Sequence, residues 1–183
     1  MARMESGSYS LLFQTLIAQP SRKNQEAMKK VRAELKREIK ETVIKESNLP
    51  HLPYLNACVK ETMRLHPPTP FQIPHRAIDS YKVMNYSIPK DAQVLVNVWA
   101  IRLDPGIWEN PLTFKPERFL NSDLEFKGND FELLPFGAGR RICPGLPMAA
   151  KQIPFIPFYS RFFDPLLPLG SSTRYGPKRA RHE

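Results

Sequence analysis

The 183-residue chain has only two cysteines, Cys58 and Cys143. That is too few for a disulfide framework or a four-cysteine zinc site. A Cys58–Cys143 bridge stays open as an alternative without positive support. No apolar run reaches the roughly 18–20 residues needed to cross a bilayer. Leu11–Ala18 is short, is interrupted by Gln14, and has no convincing cleavage site behind it, so it does not read as a secretory signal. There is no internal repeat and no glycine pattern of a dinucleotide or phosphate loop. Acidic residues are in deficit, 18 against 27 basic, for a net charge of +9. Such a balance suits nucleic acid, an anionic membrane or an acidic protein partner, or simply a solvated surface and tail. Arg174, Lys178, Arg179 and Arg181 face only Glu183 there. No aromatic-basic platform accompanies the charge, so a nucleic-acid partner is not expected.

What is present is enough for a core. Hydrophobic residues make up 42% and aromatics 10%, which speaks against disorder throughout. The 19 prolines lie largely after Pro50, which predicts a helix-rich first part and a loop-rich second part. From about Asn24, Met28, Val31, Leu35 and Ile39 recur at helical spacing. Glu34, Glu38, Lys36 and Lys40 fall on the polar face of that amphipathic helix. A second helix is predicted over Pro53–Leu65, with proline in its first turn and Pro67-Pro68 stopping it. Leu55, Cys58/Val59, Thr62 and Leu65 line its inner face, which makes Cys58 a small buried hydrophobe.

Within that helix Glu61 and Arg64 stand at i and i+3 and can pair. Spacing alone makes this an exposed pair worth at most about 1 kcal/mol. Strand signals follow. Tyr81–Met84 and Tyr86–Ile88 flank Asn85, a turn former. Gln93–Trp99 alternates at period two through Val94, Val96 and Val98, so a small antiparallel sheet is expected. Asp104-Pro105-Gly106 is a turn signal, Trp108–Phe119 a loop with short helical turns, and Asn121–Asn129 turn-like. A helix is predicted from Leu146 to Gln152, with Pro154 and Pro157 interrupting it. Ser171–Glu183 reads as a disordered tail.

The densest chemistry is in Pro135–Gly145, which reads Pro-Phe-Gly-Ala-Gly-Arg-Arg-Ile-Cys-Pro-Gly. Glycines allow tight turns and close approach. Arginines offer a fixed fork of donors to carboxylates. The cysteine, once deprotonated, is a soft ligand. The stretch suits a loop that brings a thiolate to a metal or reactive centre.

Three motifs in order carry a resemblance. Phe136-Gly-Ala-Gly139-Arg140-Arg141-Ile-Cys143-Pro-Gly145 resembles the F-x-x-G-x-R-x-C-x-G loop of cytochrome P-450 haem-thiolate monooxygenases. Glu61-Thr-Met-Arg64 resembles the family's E-x-x-R, and Pro116-Glu117-Arg118-Phe119 its P-E-R-F. Lys60–Pro68, Ala92–Ala100 and Phe131–Pro147 look most like plant microsomal members, similar to geraniol 8-hydroxylase and related terpenoid or alkaloid hydroxylases. The fold so implied is α+β, the C-terminal part of the mainly helical cytochrome P-450 fold: helices J and K, a small antiparallel sheet, the meander, the cysteine loop and the start of helix L. The domain division that follows is a non-matching segment 1–23, a partial cytochrome P-450 domain 24–148, and a Pro-rich, basic tail 149–183.

The resemblance also implies roles. Cys143 would be the thiolate ligand of haem b iron, with Phe136 shielding its sulfur. Gly137, Gly139 and Gly145 would let the loop turn and pack near the porphyrin. Arg141 and His75 would meet haem propionates. Glu61, Arg64 and Arg118 would form a buried three-way ion cluster, in place of the exposed pair that spacing suggests. Implied partners are a small lipophilic substrate and a reductase that delivers electrons from NADPH. The family's place is the endoplasmic reticulum membrane, cytosolic face. The expected reading is the haem-iron binding part of an O₂-dependent monooxygenase acting on a terpenoid or alkaloid. The alternative is a non-catalytic, truncated remnant without the distal haem pocket. It rests on the absence of a membrane anchor and of the oxygen-activating helix signature, which Met1–Lys23 does not match, and on the unusual segment Ser160–Glu183.

Overall fold

The computed structural model describes residues 24–39 and 46–155. The expected helix near Asn24 is α1, Gln25–Glu38. Its inner stripe is Ala27, Val31 and Leu35, but Glu34 is buried with them. The expected polar face is therefore wrong at this residue, and the reason is local. Helix α2 spans Pro53–Leu65 and has no side-chain cap of its own. The first amides of a helix lack intrahelical partners. Glu34 supplies them: its two carboxylate oxygens accept from Tyr54 N and Leu55 N, both at 2.8 Å. A carboxylate suits this helix end by charge as well as by hydrogen bonding. One helix thus caps the next.

Helix α2 has the predicted bounds, with proline at its start and His66 closing it ahead of Pro67. It is not one-sided, however. Ten of its 13 residues are buried, the pattern of a helix surrounded by protein. Leu55 and Cys58 pack with Val31 and Leu35 of α1 and with Leu52. Ala57, Val59 and Met63 pack against Trp108, Phe119, Phe126, Leu133 and Ile153. The irregular second half of the chain thus closes over α2. A 3₁₀ turn, Glu46–His51, leads into it.

The strands are short. β1 (His75–Arg76) pairs antiparallel with β4 (Gln93–Val94), and β2 (Tyr81–Val83) with β3 (Tyr86–Ile88). The two pairs form separate two-stranded sheets. The strand expected to run on to Trp99 stops at Val94, because Val98–Leu103 is a helix, α3. Asn97 explains the change: its side-chain oxygen accepts from Ala100 N at 3.0 Å, a cap that outweighs the period-two pattern. The positive φ of the β2–β3 turn falls on Met84, not Asn85. At the turn after α3, Gly106 N donates to the Asp104 carboxylate at 2.8 Å. Pro116–Phe119 is a 3₁₀ turn, and α4 spans Leu146–Gln152 as predicted. It tightens to 3₁₀ geometry over Ile153–Phe155, at Pro154. Pro157, the disordered-tail expectation and the Leu11–Ala18 reading lie outside the described residues.

Candidate functional site

The centre of the fold is an ion cluster on α2. The Glu61 and Arg64 side chains have 0% exposure, so the surface pair that spacing suggests does not occur. Arg64 Nε donates to Glu61 Oε2 at 2.7 Å and Nη2 to Oε1 at 2.9 Å. Its Nη1 donates to the carbonyls of Arg102 at 2.9 Å and Pro111 at 2.8 Å. The guanidinium lies over Trp108, 5.1 Å from the ring centroid. Arg118, from the 3₁₀ turn, reaches Glu61 with Nε at 3.3 Å and Glu109 O with Nη1 at 3.0 Å. Lys115 N also donates to Glu61, at 2.8 Å. The buried carboxylate is thus met by two cations and a backbone amide, and Arg64 ties α2 to α3 and to the loop that follows it. A buried charge is tolerable only when paired and hydrogen-bonded in this way.

A second cluster sits above it. Glu117 accepts from Lys30 Nζ at 2.6 Å and Tyr54 hydroxyl at 3.1 Å. The Lys30 bond holds the Glu117 carboxyl below its ordinary range. The Pro-Glu-Arg-Phe motif therefore grips α1 through Glu117 and α2 through Arg118. Nearby, burial pushes the Cys58 thiol up to about 12, which suits the inert core role predicted for it.

The cysteine loop leaves the 3₁₀ turn Gly139–Arg141 and enters α4. Cys143 N donates to Phe136 O at 3.0 Å, and Leu146 N to Cys143 O at 3.1 Å. Cys143 is half-buried and free of a disulfide, as is the buried Cys58, which closes the bridge alternative. Gly137 and Gly139 take φ of 76° and 64°, a region that favours glycine. Gly145 is different. Its φ is −79°, and a Cβ there would make an ordinary van der Waals contact with Sγ at 3.6 Å. Phe136 is half-buried, its ring 6.0 Å from that of Phe126. Arg141 is exposed, and His75 is half-buried on β1 opposite Val94. Glu61, Arg64 and Arg118 are brought together. Phe136 and Cys143 are joined through the backbone. His75 and Arg141 have no direct contact among those described.

Two residues in contact with the loop carry no motif. Gly128, at φ 86°, backs it so closely that a Cβ would lie 2.7 Å from Ile142 Cδ1 and 3.0 Å from Gly137 O. Gln72 donates from Nε2 to Leu134 O at 3.1 Å. The turn-like composition around Gly128 was a signal for the first; nothing marks the second. Among the described residues no group of three or more His, Cys, Asp or Glu could hold a metal ion. No described helix is long and apolar enough to cross a membrane.

Comparison with known proteins gives a consistent result. The family model for Cytochrome P450 matches residues 22–156. The chain is 62% identical over 122 residues to probable (S)-N-methylcoclaurine 3'-hydroxylase isozyme 2 of Coptis japonica, covering 67% of this chain and 25% of that one. It is 56% identical over 133 residues to geraniol 8-hydroxylase of Swertia mussotii, covering 72% and 27%. A zebrafish cytochrome P450 solved with abiraterone superposes with a TM-score of 0.68 at 36% identity, over 82% of this chain and 34% of that one. The chain thus spans about a quarter of the length of these curated relatives. The α+β arrangement is that of the same fold. With a match over most of its length, an ordered run of three motifs and the buried Glu61–Arg64–Arg118 cluster, the chain belongs to the cytochrome P450 family.

Proposed function

We propose that residues 24–148 supply the cysteine side of a haem b site in an O₂-dependent monooxygenase. Its substrate would be a small lipophilic plant metabolite of terpenoid or alkaloid type. The observation that carries this is the loop around Cys143. The thiol is held by its backbone to Phe136, is half-buried and free of a disulfide, and stands outside the buried core clusters. These residues fit the group. The thiolate is a soft, anionic iron ligand, and the cations of Arg140 and Arg141 are exposed on the same loop.

In this reading Cys143 holds the iron. Phe136, packed on Phe126, keeps water from the sulfur. Arg141 and His75 hold propionates, and Gly137 and Gly139 give the loop its path. Glu61, Arg64 and Arg118 hold the scaffold behind the loop. When bound, haem with thiolate ligation favours O–O cleavage, so that one oxygen atom of O₂ enters a C–H bond. The electrons would come from NADPH through a reductase, whose acidic surface the net charge of +9 suits. The site of action would be the cytosolic face of the endoplasmic reticulum. The names of the two relatives support the substrate class, an alkaloid in one and a monoterpene alcohol in the other.

The test is spectroscopic. The chain is loaded with haem, reduced and exposed to carbon monoxide. A thiolate-type red-shifted Soret band is expected. Failure to retain haem would contradict the proposal. Turnover of geraniol or an N-methylated benzylisoquinoline with reductase and NADPH tests the substrate class separately.

A further inference from the structure

We propose that Gln72 is a positioning residue that fixes the cysteine loop from 62 residues away. Four non-glycine residues among those described have positive φ: Gln72, Met84, Asp91 and Asn110. The last three are exposed, in turns or bends. Gln72, at φ 52°, is half-buried. A bulky residue in this conformation is strained and persists where its surroundings hold it. Two contacts hold it: its backbone N donates to Thr69 O at 3.1 Å, and its side-chain amide donates to Leu134 O at 3.1 Å.

Leu134 O has a second donor, Gly137 N at 3.3 Å. Both of its acceptor sites are then used, and the turn 134–137 is closed from within and tied from outside. The Gln72 Oε1 also lies 3.4 Å from where a Gly137 Cβ would be. On its other side the Gly137 carbonyl meets Gly128. The turn is therefore clamped between Gln72 and Gly128. Phe136, within that turn, accepts from Cys143 N at 3.0 Å. Gln72 thus acts on Cys143 through three steps: side-chain amide to Leu134 O, the closed turn, and Phe136 O to the cysteine amide. The loop-fixing role stands on the geometry of the chain; its effect on the thiolate rests on the haem reading above.

The test uses Gln72→Glu and Gln72→Leu in the whole chain. Glutamate has nearly the same shape but cannot donate while ionised. Hydrogen exchange is followed at the amides of Gly137 and Cys143, with Val59 and Met63 in α2 as internal controls. Both variants are expected to exchange about two- to tenfold faster in the loop, the factor that one hydrogen bond carries, with the α2 amides unchanged. In Gln72→Glu, acidification that protonates the introduced carboxylate should restore wild-type protection, once rates are corrected for intrinsic pH dependence. After haem loading, the fraction of the carbon monoxide complex with the red-shifted band should fall in both variants. Unchanged loop exchange, or equal acceleration in α2, overturns the proposal. Should the leucine variant not fold, Gln72→Asn, too short to reach Leu134 O, takes its place. If wild type holds no haem, the haem reading fails and the exchange data alone decide the role of Gln72.

Discussion

Replacing Arg64 with alanine tests the buried cluster most severely. The side chain has 0% exposure and gives bonds of 2.7 and 2.9 Å to Glu61 and of 2.9 and 2.8 Å to two carbonyls. Its removal leaves Glu61 buried with Arg118 at 3.3 Å and Lys115 N at 2.8 Å as partners. It also strips a donor from Arg102 O and Pro111 O and opens space against Trp108. Breaking a buried pair of this kind costs about 3–5 kcal/mol. Arg118→Ala removes a longer contact from a side chain with 9% exposure, together with bonds to Glu109 O at 3.0 Å and Thr113 O at 3.4 Å. It should cost about 1–2 kcal/mol. Urea unfolding reads both, with tryptophan fluorescence as the signal, since Trp108 lies against both guanidinium groups. A loss below about 1 kcal/mol for Arg64→Ala, the worth of an exposed pair, would refute the reasoning. So would equal losses for the two variants.

Glu34→Ala should cost about 2–4 kcal/mol, because two amides at the start of α2 lose a charged acceptor; circular dichroism during urea unfolding measures it, and Glu34→Gln should retain part of the loss. Gly128→Ala should cost about 2–4 kcal/mol from a strained φ and overpacking, while Gly106→Ala, which meets only the Asp104 carboxylate, should cost less in the same assay. Cys58 sets a pH dependence. Its folded thiol is pushed up to about 12 from an ordinary 9.0 by burial. The unfolded chain therefore loses this proton first, and stability falls as pH rises from about 9 toward 12. Burial pushes the Tyr54 hydroxyl in the same direction, so the measurement is the difference from Cys58→Ala, whose alkaline slope should be shallower. In native protein at pH near neutral, thiol reagents should modify Cys143 and spare Cys58.

The sequence made the helix limits legible where proline set them. Pro53 opens α2 and Pro67 ends it, and both effects are local. It did not show that α2 is buried all round, because that depends on Trp108, Phe119 and Phe126 returning from far along the chain. Glu34 misled for the same reason: its partners are amides, which a sequence pattern does not display. Val94–Val98 misled because one capping residue, Asn97, reverses what alternation suggests. Spacing placed Glu61 and Arg64 at the surface. Only the company of the Pro-Glu-Arg-Phe motif pointed to a three-way cluster, and the structure brings Arg118 to it. The cysteine loop stood out through its own composition, whereas Gln72 acts through one side-chain amide and leaves no pattern.

The central claim is that Cys143 presents a thiolate to haem iron. It is tested by the reduced carbon monoxide spectrum of the haem-loaded chain beside that of Cys143→Ser. The account predicts a red-shifted Soret band in the wild-type chain and its loss in the serine variant, with Cys58→Ala retaining it. A red-shifted band that survives Cys143→Ser, or wild-type protein that holds no haem, would contradict it.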